Sequence, residues 1–159
     1  MSPASKAAPA TLPPEEQLSR FIDKFDAKNA ALIRCIREAL RKRLPTANEL
    51  VYDNYNFLVI GYCPSERPSD CIVSLAAQAS GIVLSFYYGA TLPDPHKLLQ
   101  GSGSQNRFVR LVSAATLAQP EVEALVAAAI AQGETPLPSS GKGKLIIRSI
   151  SAKQRPRKK

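Results

Sequence analysis

The sequence predicts an α+β fold: a single domain in which an antiparallel β-sheet packs with N-terminal helices and one C-terminal helix. Three observations carry this. Apolar residues recur at helical spacing before Pro45 and again after Pro120. Between them lie short runs rich in Val, Ile, Leu, Tyr and Phe, bounded by Gly, Pro, Asn, Asp and Ser. Helical and strand-like segments come in blocks instead of alternating, which is the order of segregated layers. A chain of 159 residues, 45% of them apolar, buries a core without disulfide or metal staples.

Each element has a local cause. Residues 1–13, MSPASKAAPATLP, lack the apolar stretch of a secretory signal and are expected to form a disordered arm. Pro13 and Pro14 followed by Glu15 and Glu16 open a helix, because proline has no donor to waste and acids suit the positive helix end. Leu18, Phe21, Ile22 and Phe25 form its apolar face. Asp26 is placed to cap a second helix that buries Leu32, Ile33, Ile36 and Leu40. Arg41, Lys42 and Arg43 suit its negative end, and Pro45 closes it.

The period then changes. ELVYD and FLVIGYC read as strands separated by Asp53-Asn54, and PSERPSD as a loop. CIVSLAAQA and GIVLSFYY join through a tight turn at Ser80-Gly81. LPDPHKLLQG is expected to form a short helix with Asp94 as cap and Gly101 at its exit. RFVRLVS is a further strand. Pro120, Glu121 and Glu123 begin the last helix, which buries Val122, Leu125 and Val126 and ends at Gly133. The domain proper therefore spans 14–133. Residues 134–150 read as a linker with a last strand in LIIRSI, and residues 151–159 as a free basic tail.

Charge divides the chain. The net charge of +8 lies entirely in the last 21 residues, which hold Lys142, Lys144, Arg148, Lys153, Arg155, Arg157, Lys158 and Lys159 and no acid. This is a neutral domain with a basic tail, suited to weak, sequence-independent contact with nucleic acid. No run of 18 apolar residues marks a membrane span. Cys35, Cys63 and Cys71 are few and odd in number, which fits free thiols in a reducing, cytoplasmic setting.

The junction LRKRLPTANELVYDNYNFLVIGY, the loop ERPSD and above all LPDPHKLLQGSGSQNRFVRL resemble the YdhG-like family, also called domain of unknown function 1801 (DUF1801). The likeness runs from about Leu32 to Gln132. It implies a small cytoplasmic α+β domain of uncharacterised activity; some members carry an iron-chaperone proposal. Many members have a Gly-Met-Pro turn after the first strand, where this chain has Asp53, Asn54, Tyr55 and Asn56.

Candidate chemistry is sparse. The Gly-Ser loop lacks the Lys of a P-loop and the third glycine of a dinucleotide turn. Two readings remain for it. Backbone N–H groups at Gly101, Ser102 and Gly103, with Lys97, Arg107 and Arg110, would cradle an anion; or the glycines serve a turn and the cations serve solubility. His96 is the sole histidine, the cysteines follow no zinc spacing and the acids are scattered, so no metal site and no cofactor is expected. No acid-base or nucleophile constellation points to an enzyme. The tyrosines and phenylalanines on the strands read as core and cross-strand pairs more readily than as base-stacking platforms. The expected role is a binding module for a partner or an anionic ligand. The alternatives are a nucleic-acid accessory acting through the tail and, by family analogy, an iron chaperone.

Overall fold

The structure is a computed structural model and describes residues 12–159. The N-terminal arm falls, up to residue 11, outside them. Helices α1 (Pro14–Ile22) and α2 (Ala27–Arg43) lead into strands β1 (Asn48–Asp53), β2 (Leu58–Cys63), β3 (Val73–Gln78), β4 (Gly81–Phe86) and β5 (Arg107–Leu111). Helix α3 (Pro120–Gln132) and strand β6 (Leu145–Ile150) complete the chain. The strands form one open sheet in the order β5-β4-β3-β2-β1-β6.

The fold is α+β as predicted, with one correction to the sheet. Neighbours from β1 to β5 are antiparallel, but β6 lies parallel to β1, so the sheet is mixed. The cause is non-local. The chain leaves α3, crosses residues 133–144 and enters along the free edge of β1, where Gly143 N–H donates to the Pro45 carbonyl and Glu49 N–H to the Lys144 carbonyl. Residues 141–144 are thus docked and are not a loose linker. Gly143 presses so close to Ala47 that a Cβ would stand 1.7 Å from the Ala47 carbonyl oxygen, which only glycine permits.

Alternation decides which face is buried. Val51, Ile60, Tyr62, Val73, Leu75, Ala77, Leu84 and Phe86 point to the helices and join Leu18, Phe21, Ile33, Ile36, Leu40, Val122, Leu125 and Val126 in one core. All three helices cover this face. Across the sheet a smaller cluster gathers Leu50, Cys63 and Cys71 with Tyr52 and Ile146.

Three local expectations change. Asp26 occupies the cap position of α2 but makes no side-chain cap bond. LPDPHKLLQG is a turn and not a helix: Asp94 carboxylate oxygens accept from the Leu98 and Leu99 N–H groups at 2.9 Å, Lys97 takes φ 57°, and Gln100 pairs with Phe108. Two prolines within three residues limit helical pairing there, and the carboxylate satisfies the amides instead. Residues 151–159 are not free: Ser151 and Arg155 N–H groups donate to the Asp53 and Tyr55 carbonyls, and Arg157 is buried.

Candidate functional site

Strand β1 carries an acid near each end of its buried face. Glu49 and Asp53 share the inward parity of Val51, and both are buried. A buried carboxylate needs paired charge and hydrogen bonds. Glu49 receives Arg37 in a two-pronged contact (2.9 and 3.0 Å) and the Tyr62 hydroxyl at 2.8 Å. Arg37 also holds Glu15 with two bonds of 2.9 and 2.8 Å, tying α1, α2 and β1 together. Burial opposes the Arg37 charge, but hydrogen bonds to Glu15 and Glu49 outweigh it and raise its pKa. The Arg37 hydrogen bonds hold Glu15 below the usual carboxylate range. Burial, then the neighbouring Glu49 charge, pushes the Tyr62 phenol well above its ordinary value.

At the other end Asp53, fully buried, meets Lys24 at 2.7 Å and Arg157 at 2.9 Å. Arg157 also donates to the Asn54 carbonyl at 2.7 Å and lies over the Phe25 ring, 5.8 Å from its centroid. Gln154 bridges the Asp53 carbonyl and the Lys24 ammonium. The C-terminal segment is therefore a strap latched by Arg157, across 104 residues of sequence.

That latch sorts the predicted cationic tail. Arg157 is structural. Lys142, Lys144, Arg148, Lys153, Arg155, Lys158 and Lys159 stay exposed on the segment leading into β6, an edge strand, on β6 itself and on the strap that continues it. Lys142 also faces Arg41 and Lys42 from the end of α2 across a depression of about 490 Å3, a juxtaposition invisible in the sequence. Two of the seven touch the 64–70 loop: Lys144 Nζ stands 4.0 Å from a Glu66 carboxylate oxygen, and Arg148 donates to the Glu66 carbonyl at 3.3 Å. Arg155 lies over the exposed Tyr55 ring at 5.7 Å.

The Gly-Ser loop is arranged differently from an anion cradle. The Arg107 guanidinium donates to the Gly103 and Asn106 carbonyls, so the loop presents oxygen to the cation. Gly101, at φ 114°, lies against the Phe108 ring. Arg110 has the opposite strand parity to Arg107 and reaches toward Gly81, while Lys97 and Ser102 remain exposed. These residues do not converge on one point.

Sequence reasoning did not find a cleft of about 380 Å3 between the 67–72 loop, the end of β4 and the C-terminal end of α3. Arg67, Asp70, Cys71, Tyr88 and Gln132 line it. Arg67 and Asp70 pair across its rim at 3.1 Å. Cys71 forms part of its wall and shares a small buried cluster with Cys63. All three cysteines are free thiols, Cys35 exposed and the other two buried. The sequence signal was Gly61, alone among apolar residues in β2: its missing side chain makes room for the Cys71 sulfur, which a Cβ would meet at 2.9 Å. Among the described residues no group of three or more His, Cys, Asp or Glu side chains gathers as a metal site, and no helix is long and apolar enough to cross a membrane.

These features define a one-sided α+β domain with a cationic sheet edge and a thiol-walled cleft. Compared with protein-family models, curated proteins and solved structures, the chain has no significant match.

Proposed function

We propose that this chain is a binding module for nucleic acid, engaging the phosphate backbone through its β6 edge and C-terminal strap. The observation that carries the reading is the fixed row of seven exposed cations from Lys142 to Lys159. Only Arg148 lies within β6; Lys142 and Lys144 lead into the strand and the other four follow it, so the charges are spread over both ends of the edge. Held by β6 pairing and by the Arg157 latch, the cations lose less conformational freedom on binding than a loose tail would. Arg41 and Lys42 lie beside Lys142, each also near an acid, Glu49 at 3.8 Å and Glu38 at 4.0 Å. Phosphate contacts of this kind position a backbone and read no sequence. Tyr55, exposed beside Arg155, adds an aromatic surface of the kind on which a base stacks. A reducing, cytoplasmic setting belongs to the same reading, supported by the odd cysteine count. Kinship with the YdhG-like family also belongs to it, resting on the likeness of LPDPHKLLQGSGSQNRFVRL.

Fluorescence anisotropy with labelled duplex and single-stranded oligonucleotides tests the proposal. With about five phosphates neutralised, log K should fall against log salt with a slope of about −4.5 on duplex and about −3.5 on single strands. Replacing Lys158 and Lys159 by Ala, or Lys142 and Lys144 by Ala, should each flatten the slope while leaving the fold intact. Absence of binding at about 50 mM salt refutes the assignment. Deleting the whole strap is a poor control, because it also removes Arg157.

A further inference from the structure

We propose that Cys63 and Cys71 form a reversible dithiol-disulfide site, oxidised by a small hydroperoxide that enters through the cleft bounded by Arg67, Tyr88 and Gln132. The inference is independent of nucleic-acid binding.

Three features of geometry carry it. The two cysteines share one small buried cluster, on the face of the sheet away from the helices. Cys63 ends β2 and Cys71 stands just before β3, its antiparallel neighbour. The register sets Tyr62 against Val73, so Cys71 lies one residue off the position opposite Cys63; strands about 4.8 Å apart with a rise of about 3.4 Å per residue keep such a diagonal pair within the roughly 4.4–6.8 Å Cα span of a disulfide. Gly61 provides the space over which the Cys71 sulfur sits, and Cys71 opens on the cleft while Cys63 is sealed behind it. Beside the pair the Tyr52 hydroxyl is buried with no hydrogen-bond partner among the described residues. An oxygen placed on either sulfur would give that hydroxyl the acceptor it lacks.

The surroundings act on the two thiols in opposite directions. Hydrogen bonding from Cys71 brings Cys63 down to about 7 against the cost of burial, with help from the Ser65 backbone and hydroxyl. The same contact and burial push Cys71 up. The Arg67 carbonyl, 3.0 Å from the Cys63 sulfur, accepts from the protonated thiol. Asp70 disfavours the anion on either sulfur. Cys63 is therefore the first of the two to ionise, and a proton passed from Cys71 to Cys63 moves the negative charge to the sulfur that faces the cleft.

The chemistry balances in two steps. The Cys71 sulfur anion attacks one oxygen of hydrogen peroxide. An S–O bond forms, the O–O bond breaks, and the departing hydroxide takes up the proton that the pair released, leaving as water. The Cys63 sulfur then attacks the Cys71 sulfenic sulfur. The S–S bond forms, the S–O bond breaks, and the second hydroxide leaves with the Cys63 proton as water. Two thiols lose two electrons in all, and one peroxide is reduced to two waters.

The test uses the full chain carrying C35S, which removes the exposed thiol on α2, with hydrogen peroxide as probe. Intact mass, free-thiol titration and peptide mapping are read before and after dithiothreitol. The expected result is loss of both thiols together, a monomer lighter by two hydrogens, a Cys63–Cys71 linked peptide, and full recovery on reduction. Independent addition of oxygens without loss of two hydrogens overturns the proposal, as do intermolecular dimers or thiols that persist. In C35S/C63S the remaining Cys71 should react at least about tenfold more slowly, having lost the partner that takes its proton. An equal rate would show that the two sulfurs do not act as a unit. If that variant fails to fold, the C35S result decides alone.

Discussion

Replacing Arg157 by Met tests whether the last nine residues are built into the fold. The perturbation removes one partner of a buried pair while keeping a side chain of similar length. Such a break costs about 3–5 kcal/mol when it strands a buried charge. Two facts reduce that figure here. Lys24 still faces Asp53 at 2.7 Å, so the carboxylate is not abandoned. Arg157 also buries Nε and Nη1 without partners among the described residues, and an orphaned donor costs about 1–3 kcal/mol, which the substitution relieves. Two facts act the other way: the Asn54 carbonyl loses its donor at 2.7 Å, and Phe25 loses the cation above it. The balance is a loss of about 2–3 kcal/mol. For a chain of this length that is a fall in Tm of roughly 4–12 °C. Urea unfolding followed by circular dichroism measures it, with Asp53→Asn and the double variant Asp53→Asn/Arg157→Met completing a cycle. The double variant should recover part of the loss, because it removes both members of the pair. A loss below about 0.5 kcal/mol, the size of an ordinary surface change, would mean that the strap is not docked and that its cations are a loose tail.

Two further outcomes follow from the packing. Tyr62 has its folded pKa raised above its unfolded value of 10.0, so the folded state keeps the proton longer. The stability this provides is complete below pH 10 and is lost as pH rises above it, at up to about 1.4 kcal/mol per pH unit. Denaturant midpoints taken on both sides of pH 10 should show a fall, and Tyr62→Phe should reduce it, with Tyr52 and Cys71, also raised, keeping part of it; an unchanged slope in the variant would place the titration elsewhere. Gly143→Ala drives a methyl group into the Ala47 carbonyl and should cost about 3 kcal/mol or more by overpacking. Gly141→Ala meets nothing within 4 Å at φ 91° and should cost about 1–2 kcal/mol from backbone strain alone. Equal midpoints for the two in urea would mean that residues 141–144 do not press on β1.

The sequence alone determined the class of the fold and most of its elements, because those signals are local. Pro13-Pro14-Glu15-Glu16 and Pro120-Glu121 open helices by their own chemistry. Period-2 alternation and turn residues place the strands within a residue or two. Charge segregation after Ser139 was equally plain. Tertiary structure alone decided where the last strand goes and what the charges do. LIIRSI is a strand on its own evidence, yet nothing in it says that it runs parallel to β1; that depends on Gly143 fitting against Ala47. Glu49 and Asp53 looked like scattered acids. Each shares the inward parity of Val51, a readable hint, but their partners Arg37 and Arg157 arrive from a helix and from the far end of the chain. Arg107 looked free to hold an anion until the loop closed its own carbonyls around it. Cys63 and Cys71 flank a loop in sequence, and only sheet register with a glycine at position 61 brings them into one buried cluster. A side chain's local preference is set by its neighbours in the chain, whereas its charge state, burial and partners are set by whatever the fold brings against it.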